Sequence, residues 1–451
     1  MRKFTLLVTA LMTAVVTMAQ DNEPKEIKLN KAQQQLVQSN NDFAFRLMRE
    51  VQTEDSRILS PLSITFTLGM LNNGAAGVTQ QEINNVLGFG EAGADGINQF
   101  CRKMLTEAPA LDKETRVAIA NNIYMNRPYE LKDEFAKKAF EYYDAQPESR
   151  DFADGQTRDV INKWGSDHTE GMIEEAIKED EFNPNAVSYL LNALYFKGMW
   201  NNKFDVKNTT DEVFNGGIKV PMMHIIANET GEGCEFEYIE NDLYQAIKLP
   251  YGTGAYLMNV YLPRQDKTVK EVLETLDGKS WQFNGRASYI DLKLPRFETS
   301  TDIDLKPVMS ALGMPTAFSE DAEFPDFCNQ STFIGMMKQV AKIKVNEEGS
   351  EAAAVTIIEM DKAVSYHDMY KFHATRPFLY IISERSTGSI FFIGQYTGDG
   401  TSGIGDAARL MNKEERIKKN EDGIKYNLNG QRLTTPPTKG VYISNGKKIL
   451  R

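Results

Sequence analysis

Cysteine is scarce in this chain: Cys101, Cys234 and Cys328 are the only three in 451 residues. An odd number leaves at least one thiol unpaired within the chain, and the wide spacings match neither zinc nor dithiol redox motifs. A chain this long buries enough apolar surface to fold without disulfide staples, so the thiols read as small buried hydrophobes. Histidine is nearly as rare. His168, His224, His367 and His373 are scattered and offer no metal-ligand spacing, so neither a metal nor a cofactor is expected. Positive charge is in deficit, with 51 Lys and Arg against 63 Asp and Glu and a net charge of −12. A nucleic-acid partner, which needs a basic footprint, is excluded, and so is general binding to anionic membranes. The chain lacks H-E-x-x-H and G-x-S-x-G. The G-x-G-x-x-G at Gly88–Gly93 follows a helical pattern rather than a strand and so does not read as a dinucleotide site. Gly278-Lys279-Ser280 lacks the upstream glycine of a phosphate loop.

The N-terminus is a different kind of segment. Arg2 and Lys3 precede an apolar run from Phe4 to about Met18, and Thr17 and Ala19 are small residues before a cut at Gln20. This reads as a secretory signal peptide over residues 1–19, too short for a membrane span. The expected location is secreted, extracellular or at the cell surface. No Pro- or Ser-rich linker interrupts the body, 20–397. A glycine-rich linker follows at 398–405, and 406–451 is a basic extension. That extension carries 11 Lys or Arg against 5 Asp or Glu, whereas 20–397 carries 38 against 57. Helical patterns dominate early: Asp42–Glu50, the Ser60-Pro61 entry, and a capping-box pattern at Thr79-Gln-Gln-Glu82. Strand patterns dominate later, at Tyr256–Leu262, Tyr289–Leu294, Lys342–Val345, Phe378–Ile382 and Ser389–Ile393. Helices first and strands later predict an α+β fold.

One segment has an unusual pattern. After the strand ending at Val345 comes Gly349, then Ser350, Ala352, Ala354, Thr356, Ile358 and Met360 at alternate positions, none of them charged. The interleaved set, Glu351, Ala353, Val355, Ile357, Glu359 and Asp361, holds all the acids. That is a strand with one buried and one wetter face. It nevertheless leads into a polar, irregular stretch from Asp361 to His373 that reads as an exposed loop.

Glu347-Glu348-Gly349-Ser350-Glu351-Ala352-Ala353-Ala354 resembles the hinge of the reactive-centre loop of the serpin family. Asn41–Phe45, Ser60–Ser63, Gly74–Thr79, Ile161–Trp164, Asn192–Trp200, Val220–Met223, Leu249–Tyr251, Leu294–Phe297, Leu312–Met314 and Arg376–Phe378 follow in family order. The resemblance implies about three β-sheets with eight to nine helices and an exposed loop. It also implies a suicide-substrate mechanism, in which a serine protease cuts the loop and the cut loop inserts into sheet A before the acyl-enzyme hydrolyses. Small uncharged residues on the inserting face suit this, because a charge there would have to be desolvated. Family spacing puts the scissile bond at Ala363–Val364, suited to elastase-like or subtilisin-like proteases. Lys362 is the rival and would select trypsin-like ones. A shutter and breach region where sheet A opens is expected at Ser60, Ser63, Asn192, Trp200 and Gln339. Gln339 stands where the family commonly has histidine, which puts the shutter's opening energy in question. The expected assembly is a monomer, with no catalytic residues of its own. The alternative is a non-inhibitory serpin that acts as a binding protein. Residues 406–451 resemble short C-terminal sorting modules of exported Bacteroidetes proteins, which implies a bacterial source.

Overall fold

The computed structural model describes residues 24–51, 53–227, 233–350 and 369–398. Beyond these it describes only 425–426, 432–433, 441–444 and 447–450. The signal peptide predicted at 1–19, hinge residues Glu351, Ala352, Ala353 and Ala354, and the candidate bonds at Lys362, Ala363 and Val364 lie outside the described residues. The chain divides into two compact units, Met1–Gly400 and Thr401–Arg451.

Among the described residues the first unit has eight α-helices. They are α1 (Lys31–Glu50), α2 (Pro61–Asn72), α3 (Gly77–Val86), α4 (Gly93–Glu107), α5 (Asp133–Tyr143), α6 (Gln156–His168), α7 (Val269–Thr275) and α8 (Lys306–Leu312). The strands are β1 (Arg57–Leu59), β2 (Thr115–Asn126), β3 (Glu148–Arg150), β4 (Ser188–Met199), β5 (Thr210–Phe214), β6 (Ile218–Ile225), β7 (Glu235–Glu240), β8 (Tyr244–Tyr251), β9 (Tyr256–Pro263), β10 (Arg286–Pro295), β11 (Phe297–Asp304), β12 (Lys338–Val345), β13 (Gly349–Ser350), β14 (Met369–His373), β15 (Phe378–Glu384) and β16 (Ile390–Tyr396). They form three sheets. A ten-stranded sheet runs β1-β16-β15-β9-β8-β7-β10-β6-β5, with β14 paired to β10. A four-stranded sheet runs β13-β4-β2-β3, and β11 pairs with β12. The α+β expectation holds. The first half is mainly helical as expected, with two twelve-residue strands, β2 and β4, lying among its helices.

Local chemistry explains the helix ends. Ser60 caps α2 by accepting the Ser63 N–H at 3.3 Å, and Pro61 occupies the first turn, where no donor is needed. The capping box expected at Thr79 is not there: α3 starts two residues earlier, at Gly77. Thr79 is buried and accepts the Glu323 N–H at 3.0 Å, while Glu82 accepts from the Thr316 N–H and hydroxyl. Tertiary partners have taken both side chains. Helix α2 is buried nearly all round, as a helix running through the centre of a large core must be. Cys101 and Cys328 are buried and Cys234 half-buried, all as free thiols. Burial pushes each thiol's pKa up, which makes them poor nucleophiles.

The second unit, among its described residues, is a four-stranded antiparallel sheet. Its strands β17 (Lys425–Tyr426), β18 (Arg432–Leu433), β19 (Val441–Ser444) and β20 (Lys447–Leu450) lie in the order β18-β17-β19-β20.

Candidate functional site

Strand β12 ends at Val345, and the chain turns back through Asn346–Gly349, closed by a bridge between Asn346 and Gly349. Strand β13 then pairs antiparallel with the end of β4, Gly349 opposite Met199 and Ser350 opposite Gly198. Strands β4 and β12 belong to separate sheets, and no ladder joins them among the described residues. Of the residues predicted as the hinge, Glu347 and Glu348 lie in this turn, and Gly349 and Ser350 form a two-residue strand along the edge of β4.

The turn is held on every side. The Trp200 N–H donates to the Glu348 carbonyl at 2.7 Å, and the Phe204 N–H to the Glu347 carbonyl at 3.0 Å. The Trp200 indole N–H donates to the Asn346 carbonyl at 2.8 Å. That indole stacks on Tyr251 with ring centres 4.4 Å apart, which fixes the end of β4. Lys203 pairs with Glu348 at 2.8 Å. Glu347 is buried, with a relative exposure of 4%. Arg296 reaches its two oxygens at 2.5 and 3.1 Å, and the Thr209 hydroxyl donates at 2.6 Å. Burial pushes this carboxyl's pKa up, but the Arg296 and Thr209 bonds outweigh burial and hold it below the usual range.

Close approach explains the glycines. Gly349 has φ +148°. A Cβ there would collide with the Gly198 carbonyl and come within 2.7 Å of the Met199 Cα. A Cβ on Gly198 would meet the Tyr251 ring at 2.7 Å. Two backbones and a ring cross where only hydrogen fits. Ser350 is buried, its hydroxyl 2.8 Å from the Tyr251 hydroxyl.

Farther down, the Gln339 side chain makes two bonds to the Ser60 backbone: it accepts the N–H at 3.1 Å and donates to the carbonyl at 2.8 Å. The Ser60 hydroxyl donates to the Phe391 carbonyl at 2.9 Å. Gln339, Ser60 and Ser63 therefore form one connected group, and Trp200 belongs to the hinge cluster. Asn192 stands apart from both. Its amide donates to Asn121 Oδ1 at 2.9 Å, while its own buried Oδ1 has no hydrogen-bond partner among the described residues. On the outer face a cavity of about 450 Å³ lies between Glu170–Glu174 and the side chains of Lys342 and Lys344 on β12.

Sequence reading pointed to Glu347–Ser350 and to Gln339, which the structure places in the turn beside β4 and against Ser60. It missed Arg296 and Thr209, although Leu294–Phe297 was among the motifs, because a pair across the fold leaves no local trace. Two of the histidines read as scattered, His224 and His373, meet at Asp291 on the far side of β10.

Residues 38–398 match the family described as Serpin (serine protease inhibitor). Human neuroserpin is 28% identical over 367 residues, covering 78% of this chain and 88% of neuroserpin. The native state of the thermophilic serpin Tengpin superposes with a TM-score of 0.73 at 25% identity, covering 83% of this chain and 96% of Tengpin. Human thyroxine-binding globulin in complex with thyroxine gives 0.71 at 25% identity, covering 81% and 98%. With the family matched over residues 38–398, most of its length, the chain belongs to the serpin family.

Proposed function

We propose that the chain is a secreted suicide-substrate inhibitor of serine proteases. The observation that supports this reading is β13: Gly349 and Ser350 pair in register with the end of β4, while β4 and β12 share no ladder among the described residues. A protease cuts after Ala363, with Lys362 as the rival position. The freed segment then continues down β4 before the acyl-enzyme hydrolyses.

The two pairs in β13 set the register of that strand. Gly349 opposite Met199 brings Thr356 opposite Asn192, and the Asn346–Gly349 bridge brings Thr356 opposite Gln339. The Thr356 hydroxyl would then supply the donor that the Asn192 Oδ1 lacks. In the same register Glu351 lies between Lys197 and Lys344 on the outer face. About ten new ladder bonds at ~0.5–1.5 kcal/mol each, with apolar side chains leaving water, give on the order of 10 kcal/mol or more to distort a tethered protease.

Elastase, subtilisin and trypsin are each titrated against the purified protein. A complex that survives denaturing gels, with a released peptide beginning at Val364, is expected with elastase or subtilisin; one beginning at Ala363 moves the cut to Lys362. Cleavage in the loop with no covalent complex by any of the three overturns the inhibitory reading in favour of a binding protein. Secretion is tested by sequencing the exported protein, whose N-terminus is expected at Gln20. The basic C-terminal unit is assigned to sorting or surface attachment, as its resemblance to Bacteroidetes modules suggests. Its deletion is expected to change where the protein accumulates and to leave inhibition unaltered.

A further inference from the structure

His224, Asp291 and His373 come from three neighbouring strands, β6, β10 and β14. In β10, Lys293 has His224 opposite it on β6 and His373 opposite it on β14. Asp291 lies two residues along β10, on the same face. Each oxygen of Asp291 takes one imidazole: His224 Nε2 at 2.6 Å and His373 Nε2 at 2.9 Å. One ligand atom from each residue falls within 4.8 Å of the other two. The three side chains are half-buried, with Asp291 at 15%, His224 at 22% and His373 at 32% exposure. Nearby positive charge is already engaged or turned to water. Lys293 Nζ pairs with Glu212 at 2.6 Å, and Lys371 is exposed.

We propose that these three residues form a binding site for a divalent transition metal of the zinc class. Two imidazoles and one carboxylate on a rigid sheet are a borderline-hard donor set. It suits zinc, cobalt or nickel over calcium or magnesium, which prefer all-oxygen shells. An ion with bonds of ~2.0–2.2 Å needs ligand atoms roughly 3.3–3.5 Å apart, within the present span. Each imidazole shifts its proton to Nδ1 and turns the Nε2 lone pair to the ion, and the carboxylate gives one oxygen. Three protein ligands leave one position for water.

The ion would join β14 to β10 and β6. Strand β14 would gain most from it, because among the described residues its ladder is one five-residue parallel pairing with β10, and parallel pairs are the weaker kind. The site rests on its own geometry and does not depend on the inhibitory reading.

The full-length protein, stripped with a chelator, is titrated with cobalt(II) chloride and, separately, with zinc chloride. Expected are one equivalent of cobalt with the visible d–d bands of nitrogen and oxygen ligation, displacement of cobalt by zinc, and no displacement by calcium. Zinc is also expected to slow amide exchange in residues 369–373 by about tenfold or more. His224→Asn and His373→Asn, each checked for native circular dichroism, are expected to weaken cobalt binding at least about tenfold. If one variant fails to fold, the other is decisive. No cobalt band at millimolar metal, or bands of unchanged affinity in a folded variant, would overturn the site.

Discussion

Gly349 shows how much can rest on one missing methyl group. With φ at +148° and the Gly198 carbonyl against it, alanine would force the hinge off the edge of β4. Gly349→Ala is expected to lower the yield of protease complex several-fold while the loop is still cut, which densitometry of denaturing gels would record. Glu347 is the second such residue. Its carboxyl's pKa lies below the ordinary 4.5 in the folded protein, so its contribution is complete above about pH 4.5 and fades as pH falls through the lower, folded value. Glu347→Gln should therefore cost about 1–3 kcal/mol at neutral pH. That gap should narrow in urea titrations taken stepwise to about pH 3; a gap independent of pH would mean that the charge on Glu347 does not matter. Neither effect could be read from the sequence. Gly349 was visible as a glycine before a run of small residues, but its neighbour Gly198 is distant in the chain. The Glu347–Arg296 pair joins residues 51 apart.

At the level of strands, the alternation after Gly349 was readable because period two is a property of the backbone itself. The structure adds the reason for it at the first position. Ser350 points into a buried site against Tyr251, where an arginine would lose its hydration without a partner. Ser350→Arg, and Ala352→Arg two residues on, are expected to turn the inhibitor into a substrate: complete loop cleavage and little covalent complex. Full complex formation by either variant would count against strand insertion. Strand ends and helix starts were harder to read. The box at Thr79 fits its pattern and fails in the fold because Glu323 and Thr316 compete for its side chains. The group formed by His224, Asp291 and His373 escaped for another reason. Metal spacing is a local rule, and here the sheet, not the spacing, brings the ligands together.

At the scale of the first unit, β4 and β12 lie in separate sheets with no ladder between them among the described residues, and the proposed mechanism puts the cut loop between them. Cutting the loop at about residue 363 should let it settle there and raise the melting temperature by roughly 10–15 °C, since on the order of 10 kcal/mol is gained. Calorimetry before and after nicking measures this directly, and equal midpoints would remove the driving force. Gln339 bears on the same transition from the other side, since it ties β12 to Ser60. If strand insertion is the mechanism, however, the gap that opens between β4 and β12 is indifferent to where its strand comes from. A free peptide copying residues 350–360 should then take that place and disarm the protein. So should the corresponding stretch of another molecule when solutions are warm and crowded, linking one copy to the next. A protein built this way has a shelf life, and its safest form is dilute, cool and soon used.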